Sequence, residues 1–206
     1  MGPAPVDRAD AEMLRQVQIA VLADGADGPA TAPEEIPIGR RPDRVMTRPR
    51  VYVETSVISY LTARPSREPL IAAHQAVTRA WWARRDRFDL VISKAVLDEI
   101  TRGDAAAAAR RVAAIEGVPV LAVTDAAQAL ARGLINGAAI PSTAAIDAAH
   151  VALAATHGAD LLVTWNCTHI ANAAIRVTIE AVCHAAGYRA PTICTPLELQ
   201  TEETEP

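Results

Sequence analysis

A chain of 206 residues and 21.8 kDa has room for one ordinary globular domain and an appendage. Half of it is apolar and 21 % is charged, which excludes global disorder, while a 3 % aromatic share demands a core of Ala, Val, Ile and Leu. The net charge of −4 argues against a generic polyanion binder, and no apolar run approaches the roughly 18 residues of a membrane span.

Residues 1–49 hold seven of the 14 prolines. One amphipathic helix is expected at 7–22, with Leu14, Val17 and Val21 on a shared face, and 25–43 reads as linker. A flexible N-terminal extension is therefore expected over 1–49, its helix either a loose tail or a docking segment. The stretch lacks the continuous apolar region of a secretory signal, so a cytoplasmic protein is expected.

From Arg50 onward strands and helices alternate. Val51-Tyr52-Val53 is a short strand, followed by helices at 56–61 and 68–84. A second strand is predicted at 88–92. Ser93 caps a helix running to 102, and Asp104 caps another to 115. A third strand at 118–123 precedes helices at 125–134 and 142–157. Leu161-Leu162-Val163 forms a fourth strand, 172–185 a helix, and Thr192-Ile193-Cys194 a fifth strand. Strands separated by helices need crossover connections, hence a mainly parallel sheet covered on both faces. The α/β domain is expected over 50–199, with 200–206 a disordered acidic tail.

Some residues carry polarity where the pattern does not call for it. Glu54 stands at the C-terminal end of the first strand, the edge where open α/β sheets bind ligands, although it could equally cap the next helix. Asp147 is the only Asp, Glu, Lys or Arg between 143 and 156, in a helix otherwise apolar but for His150. A buried carboxylate there needs a cation, hydrogen-bond donors or a salt bridge to one of the arginines. Glu99 lies among Val96, Leu97 and Ile100, and by itself also fits a solvated face. Asn166 closes Thr164-Trp165-Asn166 after the fourth strand, where an ordinary turn residue would also serve. Three carboxylates converging on one crevice would repel without a counter-charge, and such hard oxygen ligands suit Mg²⁺ or Mn²⁺. With no P-loop, GxGxxG or GxSxG fingerprint, metal-assisted phosphodiester hydrolysis leads on chemistry alone.

Six arginines at 64, 67, 79, 84, 85 and 87 face only Glu68 and Asp86, a local balance of +4. This is either a compositional habit, since Lys94 is the one lysine in the chain, or a phosphate-contacting face. The Trp81-Trp82 pair reads as packing rather than a base-stacking platform. Cys167, Cys183 and Cys194 lack CxxC spacing and suit reduced thiols; with His169 and His184 they match no standard zinc pattern.

The run from Val51 through Glu54-Thr55-Ser56-Val57-Ile58 resembles the opening motif of PIN-domain proteins. The stretch from Ser93 to Glu99-Ile100 is similar to their second acidic motif. Asp147-Ala148-Ala149-His150-Val151-Ala152, with the strand that leads into Thr164-Trp165-Asn166, is similar to the third. The Glu-Thr-Ser-Val-Ile-Ser-Tyr-Leu and Thr-Trp-Asn-Cys runs resemble VapC-like toxins of type II toxin–antitoxin modules. The resemblance covers about 50–199 and implies a three-layer fold around a five-stranded parallel sheet. It implies a Mg²⁺- or Mn²⁺-dependent endoribonuclease, dimeric and inhibited by a cognate antitoxin. Glu54, Glu99 and Asp147 would be its catalytic and metal-holding residues, with Asn166 a further ligand. Ser56 and Thr164 would be secondary groups, Ser56 positioning a ligand or water, and Arg64, Arg67, Arg84, Arg85 and Arg87 would hold the RNA backbone around the rim. The family's first acid is usually Asp and its fourth acidic position falls on neutral Asn166. Those departures keep open a catalytically silent module that binds RNA or a protein; a structure-specific DNA nuclease fits the length less well.

Overall fold

A computed structural model describes residues 48–200, and the chain divides between Arg48 and Pro49. The helix expected at 7–22 and the tail beyond 200 lie outside the described residues. Strands β1 (Arg50–Val53), β2 (Asp89–Ser93), β3 (Val120–Leu121), β4 (Leu161–Val163) and β5 (Thr192–Cys194) form one parallel sheet in the order β3-β2-β1-β4-β5. Seven α-helices flank it: α1 (Thr55–Thr62), α2 (Pro69–Trp82), α3 (Lys94–Ile100), α4 (Ala105–Ala114), α5 (Asp125–Asn136), α6 (Ala145–Thr156) and α7 (Ala173–Ala185).

Most helix starts follow from one side chain. Ser93 accepts from Val96 N, Asp104 from Ala107 N, Thr124 from Ala127 N and Asn172 from Ala174 N, each satisfying a donor the helix leaves open. Glu68 caps α2 through Leu70 N and Ile71 N, with Pro69 in the first turn. Helix α6 differs. Its cap position is Ala144, which has no side-chain bond to give, so the expected helix from Ser142 opens as a 3₁₀ turn (Ser142–Ala144). The expected third strand shortens to two residues, because Pro119 has no N–H for the ladder and serves only as acceptor for Ile92 N at 3.0 Å.

The core is aliphatic, as composition requires. Val51, Val53, Ile92, Val151, Leu153, Leu162, Val163 and Ile179 are sealed between sheet and helices. Trp81 and Trp82 are buried with them, edge to face, which confirms packing for that pair. No helix among the described residues is long and apolar enough to cross a membrane.

The chain order places the functional crevice. It moves outward from β1 to β3, then returns to lay β4 on the other side of β1. The order reverses between β1 and β4, and the C-terminal ends of the strands at such a switch point are where open α/β sheets bind ligands.

Candidate functional site

Val53 is in register with Val163, so Glu54 and Thr164 leave the sheet side by side. The Glu54 N–H donates to the Val163 carbonyl at 3.1 Å, and its extended backbone makes it the cap of α1. Its Oε2 accepts from Ser56 N at 3.0 Å and from the Thr164 hydroxyl at 2.7 Å. The Ser56 hydroxyl donates to the same oxygen. These donors and the positive end of α1 stabilise a carboxylate that is only 5 % exposed. Glu54 thus combines the capping and crevice positions that the sequence left as alternatives.

Ser56 and Thr164 also tie the two edges together. Ser56 Oγ accepts from Trp165 N at 2.8 Å, and Thr164 Oγ1 accepts from Asn166 N at 2.9 Å.

Glu99 arrives from α3. Its Oε2 accepts from the Thr55 hydroxyl at 2.5 Å and from His150 Nε2 at 2.9 Å. His150, fully buried on α6, meets the Tyr52 hydroxyl through Nδ1 at 2.8 Å, and that hydroxyl meets Ser93 Oγ at 2.7 Å. Burial opposes a charged imidazole. The Tyr52 oxygen, the Glu99 hydrogen bond and the charges of Glu99 and Glu54 outweigh it, holding the His150 pKa well above 6.5. Burial likewise opposes an ionised Glu99, yet His150, the Thr55 hydroxyl and the Arg102 charge bring its pKa below 4.5.

Ligand atoms of Glu54, Glu99 and His150 lie within 4.8 Å of one another. Among the described residues, the hydrogen bonds of both carboxylates fall on Oε2, leaving Oε1 of each available.

Asp147 and Asn166 stand beside this group and not in it. Asp147, in the first turn of α6 and one turn before His150, accepts through Oδ2 from His169 Nδ1 at 3.0 Å. Its hydrogen-bond partner is therefore a histidine and not an arginine. Asn166 Oδ1 accepts from His169 N at 3.0 Å, which closes the turn after β4 and spends that oxygen locally.

Arg64 and Arg67 lie exposed in the loop between α1 and α2. The expected rim position does not fit Arg84, Arg85 and Arg87, which flank a 3₁₀ turn (Arg85–Arg87) just before β2. That is the N-terminal edge of the sheet, separated from Glu54 by the length of β1, about 13 Å for four residues.

His150, Tyr52, Thr55 and His169 escaped the sequence reading as site residues. For His150 a signal existed, since it lies three positions after Asp147 on one face of an apolar helix. The others acquire their roles only through tertiary approach.

The PIN domain model matches residues 51–166, from the first strand through Asn166. The chain belongs to the PIN-domain family. No match was found among curated proteins or among solved structures. PIN domains are generally nucleases, typically with a divalent metal, and this chain carries that nuclease-type fold. The donor set of this PIN domain fits such an ion. The two carboxylates approach closely, and their hard oxygens match Mg²⁺ or Mn²⁺. His150 does not fit as a ligand, because both ring nitrogens are already engaged, and it acts by orienting Glu99.

Proposed function

We propose that this PIN domain is a metal-dependent endoribonuclease that hydrolyses RNA phosphodiesters with Mg²⁺ or Mn²⁺. The observation carrying the reading is the approach of Glu54 and Glu99 beyond the C-terminal end of β1, with ligand atoms within 4.8 Å of one another. Glu54 and Glu99 would hold the ion. When bound, the ion supplies an acidified water and offsets the charge that develops on the phosphate. Ser56 and Thr164 fix the Glu54 rotamer, and His150 fixes Glu99. Asp147, which accepts from His169, would be the further carboxylate of the site.

The likeness of the Glu54 to Leu61 and Thr164 to Cys167 runs to VapC-like toxins supports a finer reading. In it the protein is the toxin of a toxin–antitoxin pair, cytoplasmic, homodimeric and silenced by a cognate antitoxin. Purified full-length protein is incubated with total RNA in Mn²⁺ or in EDTA, alongside Asp147→Asn and Glu99→Gln. Cleavage in Mn²⁺ alone, lost in both variants while their circular dichroism spectra stay native, is the expected result. Cleavage that persists in EDTA or in both variants refutes the assignment. For the toxin role, induction in a bacterial host should arrest growth, and Asp147→Asn should abolish the arrest. One observation favours a second reading, a silent RNA- or protein-binding module: the Asn166 side-chain oxygen is spent on His169 N. RNA bound but uncut in Mn²⁺ would select it.

A further inference from the structure

Three rings from separate elements meet beside the crevice: Tyr60 on α1, His74 on α2 and Trp165 after β4. His74 and Trp165 stack with centroids 4.0 Å apart and planes 18° apart. Tyr60 lies edge-on to both, at 5.5 and 6.1 Å. All three are partly exposed, unlike the buried Trp81 and Trp82.

The stack is anchored to the acidic group. The Trp165 backbone N–H donates to Ser56 Oγ at 2.8 Å, and that same hydroxyl donates to Glu54. The indole N–H donates to the buried Thr78 hydroxyl at 2.7 Å, which fixes the ring plane. His74 Nδ1 has no hydrogen-bond partner, so ring contacts are what orient His74.

A charged loop borders the stack. Gln75, 2 % exposed and next to His74, accepts from Ser66 N at 3.0 Å and donates to the Arg64 carbonyl at 2.9 Å. This clamp holds the segment carrying the exposed Arg64 and Arg67. Rigid partly exposed rings beside a cationic loop make the recognition chemistry of single-stranded nucleic acid. Unpaired bases stack on aromatic faces, and guanidinium forks take phosphates.

We propose that Tyr60, His74 and Trp165 form a stacking subsite for one nucleobase of single-stranded RNA, next to the phosphate at the acidic group. Arg64 and Arg67 take the adjoining backbone phosphates. The proposal rests on the ribonuclease reading and adds to it how the substrate is seated. Stacking tolerates any base, so this subsite selects unpaired strand and not sequence.

The test measures binding of a labelled single-stranded RNA to the full chain in EDTA. It is repeated with oligonucleotides only long enough to span the acidic group and the three rings, so that one register is available, each carrying one abasic residue at successive positions. Tyr60→Leu and His74→Leu are the chosen variants, since Trp165 is tied into the fold by two hydrogen bonds. In the parent, one abasic position should weaken binding about tenfold, within the range for a base on an aromatic ring. Both Leu variants should lose a similar factor on intact RNA and become indifferent to that abasic position. Arg64→Gln with Arg67→Gln should keep the abasic sensitivity and lower the log–log salt slope by about 1.4, roughly 0.7 per phosphate contact. Neutralising Arg84, Arg85 and Arg87 should change neither readout. Equal affinity of the parent for every abasic oligonucleotide refutes the subsite, as does a failure to bind RNA. Leu variants that remain abasic-sensitive refute it too. Cleavage in Mn²⁺ is scored separately. Abasic-sensitive binding without cleavage would overturn the ribonuclease reading and leave the subsite standing.

Discussion

Tyr52→Phe removes one oxygen from the buried chain that ends at Glu99. The ring stays and fills its place, so the perturbation is polar and creates almost no cavity. The deleted hydroxyl stands 2.8 Å from His150 Nδ1 and 2.7 Å from Ser93 Oγ, and both of those residues are fully buried. His150 Nδ1 is left without a partner, and Ser93 Oγ keeps only Val96 N at 3.4 Å. An orphaned buried polar group costs about 1–3 kcal/mol, so two partly orphaned groups should cost about 2–4 kcal/mol together. At about 2–4 °C per kcal/mol for a chain of this size, the thermal midpoint should fall by roughly 4–16 °C. Urea unfolding monitored by circular dichroism gives the free energy, and calorimetry gives the midpoint. Because His150 orients Glu99, titration calorimetry should also show weaker Mn²⁺ binding, with a smaller loss than in Glu99→Gln. A midpoint within about 2 °C of the parent would show that the Tyr52 hydroxyl is not holding His150.

Other measurements test other parts of the molecule. The pKa of His150 is raised from 6.5, so its stabilisation is full below that value and is lost as pH rises through the folded pKa. For Glu99, lowered from 4.5, the stabilisation is full above that value and is lost as pH falls through the folded pKa. The stability gap between parent and His150→Gln should therefore peak between pH 4.5 and 6.5 and narrow on both sides; a gap that widens toward alkaline pH contradicts the pairing. Burial holds the Cys183 and Cys194 thiols up, at about 11 and about 12, while Cys167 is exposed. A chromogenic disulfide reagent should thus titrate one thiol in the native chain and the remainder only on unfolding; immediate reaction of all of them would contradict the burial. An added Cβ at Gly137 would meet Val182 Cγ2 at 2.9 Å, whereas at Gly133 the nearest atom is 3.6 Å away. Gly137→Ala should cost about 1–3 kcal/mol and Gly133→Ala close to nothing, and equal midpoints would refute that close approach of α5 to α7.

The elements were largely legible because each rests on local chemistry. Apolar triplets at Leu161–Val163 and Thr192–Cys194 form strands at the expected residues, and Ser93, Asp104 and Asn172 cap the helices they precede. Two of the shortened elements lack a hydrogen-bonding group: no N–H at Pro119, and no side-chain acceptor at Ala144. The alternation of strands and helices implied a parallel sheet, and a sheet of that kind has its crevice at the strand C-termini, where Glu54 was expected.

Which atoms meet in that crevice was a different matter. Glu99 and His150 are 51 residues apart, Asp147 and His169 are 22 apart, and Tyr60, His74 and Trp165 come from two helices and a loop. Five of the six arginines close in sequence divide between an exposed loop and the opposite edge of the sheet, while Arg79 lies on α2. Periodicity and capping determine where helices and strands begin, since both depend on neighbours a few residues away. Only the return of β4 to the flank of β1, and the packing of α6 against the sheet, decided which polar groups share hydrogen bonds. Such bonds form or fail over a few tenths of an ångström, a tolerance that no local pattern in the chain encodes.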